Sequence, residues 1–214
     1  MTKTLDHTAR ADARVFIVDD DESICKALTR LLTASGYTTE AFHSADDYVK
    51  RKPFDGIGCL ILDIRMPGMS GTDLQIHLQR QQSSIAVVFL TGHGDLPVGI
   101  QAMKRGAVDF LTKPVDEIAL LDAVNRALSR SQKVHDEKSR RADVQSRLAT
   151  LTLREMEVLE YIVGGARNKQ IALYLGISEK TVKAHRGAIM RKTGASSPAE
   201  VGWICSMVDL PIRK

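Results

Sequence analysis

Three consecutive carboxylates, Asp19, Asp20 and Asp21, close the apolar run Val15-Phe16-Ile17-Val18. A short run of β-branched and aromatic residues reads as a buried parallel strand, which puts the acids at its carboxyl end. That end is where open α/β sheets place their ligands. Carboxylates that meet there repel one another unless a divalent cation neutralises them. The ion this chemistry asks for is hard and oxygen-seeking, most simply Mg²⁺. Later in the chain Asp63 closes Cys59-Leu60-Ile61-Leu62, Thr91 closes Val87-Val88-Phe89-Leu90, and Lys113 follows Phe110-Leu111-Thr112. One more carboxylate, a hydroxyl and an ammonium are thereby offered to the same charges.

Alternating periodicities supply the elements that must position these groups. Strands are predicted at 15–18, 38–42, 59–62, 86–90 and 109–111. Between them run helical stripes: Ile24, Leu28, Leu31 and Leu32, then Leu74 and Leu78, then Ile100 and Met103. Five β-then-α units predict an α/β fold, a doubly wound five-stranded parallel sheet with right-handed crossovers. Gly36, Gly71 and Gly106 fall where helices stop or start. A last amphipathic helix begins near Asp116, with Ile118, Leu121, Val124 and Leu128 on its inner face.

Beyond Leu128 the apolar residues thin out while acids precede bases by four at Asp136/Arg140, Glu137/Arg141 and Asp143/Arg147. Each such pair adds about 0.2 to 0.5 kcal/mol to a helix, so a solvated helical linker is expected. Leu121, Leu128, His135, Ala142 and Ala149 recur every seven residues, but the companion row Val124, Ser131, Lys138 and Gln145 is mostly polar, which argues against a coiled-coil seam. Thr152 and Glu155 have capping-box spacing ahead of Met156, Val158, Leu159 and Ile162, and Gly164-Gly165 ends that helix. Further helices are predicted at about 169–175, 179–193 and 198–208, a compact four-helix unit. The expected organisation is an α/β domain at 13–130, a helical linker at 131–148 and a smaller all-α domain at 149–214.

Charge separates the two parts. Residues 1–130 carry 15 Lys and Arg against 17 Asp and Glu, whereas residues 131–214 carry 15 against 9. A small basic domain most often meets nucleic acid. The 214 residues with 43% apolar content suffice for two cores. Cys25, Cys59 and Cys205 are odd in number and far apart, which suggests neither a zinc site nor a disulfide framework. The polar start MTKTLDHTARADAR lacks the apolar region of a signal peptide, and no stretch approaches the roughly 18 apolar residues of a membrane-spanning helix. A soluble, reduced, cytoplasmic protein is expected.

The segments VFIVDDD, LILDIRMPGMSG, FLTGH and FLTKP resemble the four landmarks of a two-component receiver domain, a CheY- and flavodoxin-like fold, over roughly residues 13–130. The resemblance implies that Asp63 is the phosphoacceptor, taking its phosphoryl group from a sensor histidine kinase to form an acyl phosphate. It implies that Asp20 and Asp63 hold Mg²⁺ directly, Asp19 through water, and the Arg65 backbone carbonyl as a further ligand. Thr91 and Lys113 would meet the phosphoryl oxygens, with the Lys113-Pro114 bond cis and aiming the lysine inward. Phe110 resembles the aromatic switch residue that turns inward as Thr91 moves. His93 and Arg65 occupy positions that influence how water reaches the acyl phosphate. Asp21 has a plainer reading as the cap of the helix through Ile24.

Residues 151–201 resemble the LuxR-type helix-turn-helix, and with a receiver ahead of it the whole is similar to NarL/FixJ-type response regulators. Ile171, Leu175, Ile177, Val182 and Ile189 would form the shared core of two helices, leaving Lys180, Lys183, Ala184, Gly187 and Arg191 on the opposite face of the second. In a major groove, Lys183 would read guanine acceptors and Ala184 a thymine methyl. Lys169, Thr181, His185, Arg186, Arg191 and Lys192 are placed as phosphate contacts, which orient without specifying. Gly187 costs roughly 1 kcal/mol in a helix and gives up a side chain at this face. Trp203, with Val201, Ile204 and Val208, is read as core ahead of dimer surface.

The expected function is a DNA-binding transcription regulator, not an enzyme, that dimerises on phosphorylation, binds promoter DNA and works with RNA polymerase. A Mg²⁺-dependent phosphoryl-transfer or hydrolytic enzyme is disfavoured: the acidic run is not the Asp-x-Asp pair of aspartate-nucleophile phosphatases, and no substrate-capping insertion separates the units. A receiver-like adaptor that never binds DNA is opposed by the basic face of the second helix.

Overall fold

The computed structural model describes residues 13–92, 96–208 and 210, so the polar stretch 1–12 and His93 lie outside the described residues. The chain divides into two units between Asp136 and Glu137.

The first unit carries strands β1 (Arg14–Val18), β2 (Thr38–Phe42), β3 (Gly58–Asp63), β4 (Ala86–Thr91) and β5 (Asp109–Thr112). Between them lie helices α1 (Glu22–Ala34), α2 (Ala45–Lys50), α3 (Gly71–Arg80) and α4 (Leu96–Lys104), and α5 (Glu117–Ala149) follows β5. The strands are all parallel, in the order β2-β1-β3-β4-β5. After β1 the chain builds one edge and then crosses to the other side of β1 to lay down β3. The crevice between the carboxyl ends of β1 and β3 is therefore the point where the strand order reverses.

Strand alternation distributes the apolar residues over two cores. Val15, Ile17, Cys59, Ile61, Val88 and Leu90 face Leu28 and Leu32 of α1 and Leu120, Val124 and Leu128 of α5. Phe16, Val18, Leu60, Leu62, Val87 and Phe89 face Tyr48 of α2, Leu74 and Leu78 of α3 and Ala102 of α4. Both faces of β3 and β4 are covered, which is why these strands read as unbroken apolar runs. Helix α2 is too short for a stripe to announce it; its start is fixed by Ser44, whose side chain accepts the Asp47 N–H.

In the second unit the last turns of α5 join α6 (Leu153–Val163), α7 (Asn168–Leu175), α8 (Glu179–Thr193) and α9 (Pro198–Ser206). Their core contains Val158, Leu159, Ile162, Ile171, Val182, Ile189, Val201 and Ile204, with Leu175 and Ile177 packed against it. Thr152 and Glu155 form the expected capping box at the start of α6. Gly176, at φ +63°, makes the left-handed turn between α7 and α8, and Ser178 caps α8.

Two expectations change. The segment 131–148 is not a uniform solvated linker: Ser131 is buried and accepts the Gly58 N–H, while Val144 and Leu148 belong to the core of the second unit. Exposure is continuous only over 136–143. Trp203 is not core, since it is 62% exposed while Val201 and Ile204 are buried. Helix α9 is apolar on more than one side, so periodicity could not choose its inner face.

Candidate functional site

Val18 pairs with Leu62, so Asp19 and Asp63 leave neighbouring strands side by side. Both are buried, at 0% and 6% exposure. Lys113, just beyond β5, places its Nζ 2.6 Å from Asp19 Oδ2 and 2.7 Å from Asp63 Oδ1. The remaining oxygens take backbone donors: the Asp21 N–H to Asp19 Oδ1 at 3.0 Å and the Arg65 N–H to Asp63 Oδ2 at 3.0 Å. Each carboxylate is thus held by one amide and one shared ammonium.

Burial pushes the Asp63 carboxyl above its ordinary range, with the hydrogen bond from Lys113 pulling it back down. Burial works against the Lys113 ammonium, but hydrogen bonds to Asp19 and Asp63 outweigh it and hold its pKa above the usual value. An ammonium fixed beside a carboxylate oxygen is a preformed counter-charge for an oxyanion built on that oxygen.

The other expected residues take distinct places. Asp20 is exposed beside the pair. Asp21 caps α1, its carboxylate accepting the Ser23 and Ile24 N–H groups. Thr91 is buried one residue beyond Leu90, the partner of Asp63, and its hydroxyl donates to the Gly92 carbonyl at 2.8 Å. Phe110 pairs with Phe89 and lies against α4, where a Cβ on Gly99 would come 3.3 Å from its ring. The Lys113-Pro114 bond is cis, as the resemblance implies. Among the described residues no three His, Cys, Asp or Glu side chains stand as a ready-made metal cluster. The donor set at the switch point is nonetheless entirely hard oxygen, and among the described residues Asp19 Oδ2 is buried with no hydrogen-bond donor beyond its ion pair with the ammonium.

One supporting residue was legible in the sequence only as helix punctuation. A Cβ on Gly71 would sit 2.0 Å from the Asp63 carbonyl oxygen, and the Gly71 N–H donates to Ile64 O at 3.1 Å. The start of α3 therefore presses on the backbone of Asp63 itself.

In the second unit Val182 and Ile189 anchor α8, and Lys180, Thr181, Lys183, Ala184 and Arg191 are exposed. His185, Arg186 and Gly187 are half-buried, and Lys169 is exposed on α7. A Cβ on Gly187 would meet nothing closer than Arg191 Nη1 at 3.7 Å, so packing within the unit does not require glycine there. Lys192 differs from its neighbours: its Nζ lies 2.6 Å from Glu155 Oε2 and donates to Thr150 O at 3.0 Å. The hydrogen bond from Lys192, with one from the Thr152 backbone, depresses the Glu155 carboxyl to about 2.

A receiver-type sheet with an acidic switch point and a separate helix-turn-helix unit define a two-part signalling protein, and comparison with known proteins agrees. Residues 15–125 match the response regulator receiver domain, and residues 149–202 match the bacterial regulatory proteins of the luxR family. Nodulation protein W of Bradyrhizobium diazoefficiens is 43% identical over 91% of this chain and 86% of its own. Transcriptional regulatory protein FixJ of Azorhizobium caulinodans is 41% identical over 87% of this chain and 89% of its own. Among solved structures, response regulator StyR superposes with a TM-score of 0.81 at 40% identity, covering 91% of this chain and 98% of that one. The chain belongs to the response regulators that join a receiver domain to a LuxR-type DNA-binding domain.

Proposed function

We propose that Asp63 accepts a phosphoryl group from the phosphohistidine of a sensor histidine kinase in the cytoplasm, and that the acyl phosphate drives the chain to dimerise on promoter DNA and act with RNA polymerase on transcription. The observation that carries this reading is the Lys113 ammonium lodged between Asp19 and Asp63. In the transfer an Asp63 carboxylate oxygen attacks phosphorus. The phosphorus–nitrogen bond breaks, and its electron pair stays with the imidazole of the kinase. Lys113 then moves from carboxylate to phosphoryl oxygens, and Thr91 brings its hydroxyl from the Gly92 carbonyl to the same oxygens. Asp19, Asp20, Asp63 and the Arg65 carbonyl would hold Mg²⁺, which when bound supplies charge neutralisation for the transferring group. Withdrawal of the Thr91 hydroxyl and a turn of Phe110 carry the change to the surface of α4, β5 and the start of α5.

On DNA, Lys183 and Ala184 would read base edges, while Lys169, Thr181, His185, Arg186 and Arg191 would contact phosphates, with Gly187 leaving room for close approach. The test is uptake from acetyl phosphate in Mg²⁺, followed by intact mass, with retention of duplexes selected from random sequence. Wild type gains one phosphoryl group and then binds more tightly, whereas Asp63→Asn gains none. Labelling of Asp63→Asn at wild-type yield would sink the assignment.

A further inference from the structure

The cations of α8 are not equivalent. Lys180, Lys183 and Arg191 are exposed and form no ion pair with a described residue. Lys192 is turned inward, its side chain 34% exposed against 8% for the Glu155 carboxylate it meets. Glu155 Oε2 is already bound by the Thr152 N–H at 2.7 Å, and the Glu155 N–H returns to Thr152 Oγ1 at 3.2 Å. Lys192 therefore ties the end of α8 to the capping box that starts α6, and through the Thr150 carbonyl to the turn before it. A second cation reinforces the same place: Arg147, near the end of α5, donates from Nη1 to the Thr193 carbonyl at 3.3 Å. Were Lys192 to swing out to a DNA phosphate, Glu155 would be left nearly buried without its counter-charge, a configuration that proteins avoid.

We propose that Lys192 is a positioning residue for DNA reading, acting through Glu155 to fix the carboxyl end of α8 against the 147–155 segment, and that it makes no phosphate contact. This rests on the reading of α8 as the helix that enters the groove. A helix held at this end keeps one tilt, and the base-reading side chains Lys183 and Ala184 keep their reach. The anchored unit also begins upstream of residue 149, because Arg147, Val144 and Leu148 are part of it.

The experiment uses the full chain and measures binding to selected and scrambled duplexes across a salt series. Lys192→Met should weaken the selected duplex about three- to tenfold, the range to which the net worth of one ordinary hydrogen bond converts. It should leave the scrambled duplex nearly unchanged, with the same salt slope. Glu155→Gln keeps an acceptor for the Thr152 N–H but loses the ion pair, so it should reproduce that pattern, and the double variant should be no worse than the poorer single one. It also keeps the test alive should Lys192→Met fail to fold, as a thermal melt would show. If Lys192 were a phosphate contact, its loss would lower both duplexes equally and make the slope shallower by about one counterion. Glu155→Gln would then free the ammonium and leave binding unchanged or tighter. Either result overturns the proposal. Failure of the wild type to retain any duplex would instead strike the DNA reading itself, and is seen before any variant is compared.

Discussion

Lys113 and Lys183 are lysines of the two units that the proposed function puts to use, and the fold treats them in opposite ways. Lys113 sits between two carboxylates delivered by β1 and β3 and is satisfied by the chain alone. Lys183 points outward from α8 without an ion-pair partner among the described residues. In the receiver Lys113, Asp19 and Asp63 settle one another's charges, so a change to one of them bears on stability. On α8 Lys180, Lys183 and Arg191 are exposed, so a substitution there is expected to leave the fold indifferent. Lys192 crosses this division, a cation of α8 that is paired inside its own unit.

Three variants put that contrast to the test. The largest effect is expected from Lys113→Met, which strands Asp19 and Asp63 together without a counter-charge. In the presence of a chelator at neutral pH it should destabilise the first unit by about 2 to 4 kcal/mol, somewhat under the roughly 3 to 5 kcal/mol for one partner removed from a fully buried pair, because the Lys113 side chain is 24% exposed. The pH dependence has a definite sign. The pKa of Lys113 is raised above the ordinary 10.5, so its contribution is complete below that value and is lost as pH rises through the raised one. In acid the deficit of the variant should shrink as the Asp63 carboxyl, which burial raises above its ordinary range, protonates. Denaturant unfolding from pH 4 to about 12 checks both limbs, and wild-type stability of the variant throughout would show that the bridge contributes nothing.

Next comes one substitution made twice. Gly71→Ala drives a methyl against the Asp63 carbonyl and should cost about 1 to 3 kcal/mol while slowing uptake from acetyl phosphate. Gly187→Ala adds a methyl at ordinary contact distance from the flexible end of Arg191 and should stabilise the second unit by up to about 1 kcal/mol. Calorimetry that follows the two units separately reads both. Equal signs would erase the distinction between a glycine fixed by packing within its unit and one that packing does not require.

The five strands and the four switch-point residues Asp19, Asp63, Thr91 and Lys113 were legible because each sits at the end of an apolar run, where period and charge change together within a few residues. The helix-turn-helix was legible for a related reason, since Gly176 and Ser178 punctuate two stripes whose apolar positions converge. Helix α2 was not, being six residues with three of them charged. Trp203 was misassigned because its neighbours on α9 are apolar on several sides. The commitment of Lys192 lay out of reach because Glu155 stands 37 positions away and its capping role already accounted for it. Local signals reveal what a residue is suited to, whereas a partner across the unit decides how it is used.

The cysteines carry a practical consequence. Cys25, Cys59 and Cys205 are free and all buried. Burial pushes the Cys25 thiol up to about 11, and it raises Cys59 and Cys205 as well. Thiolate is the reactive form, so at neutral pH the native chain offers almost nothing to an alkylating reagent or a mild oxidant. A single cysteine introduced at an exposed position of α8 can therefore be labelled with a fluorophore or spin probe while the native three are left in place, and the binding of DNA can be followed spectroscopically in an otherwise unaltered protein.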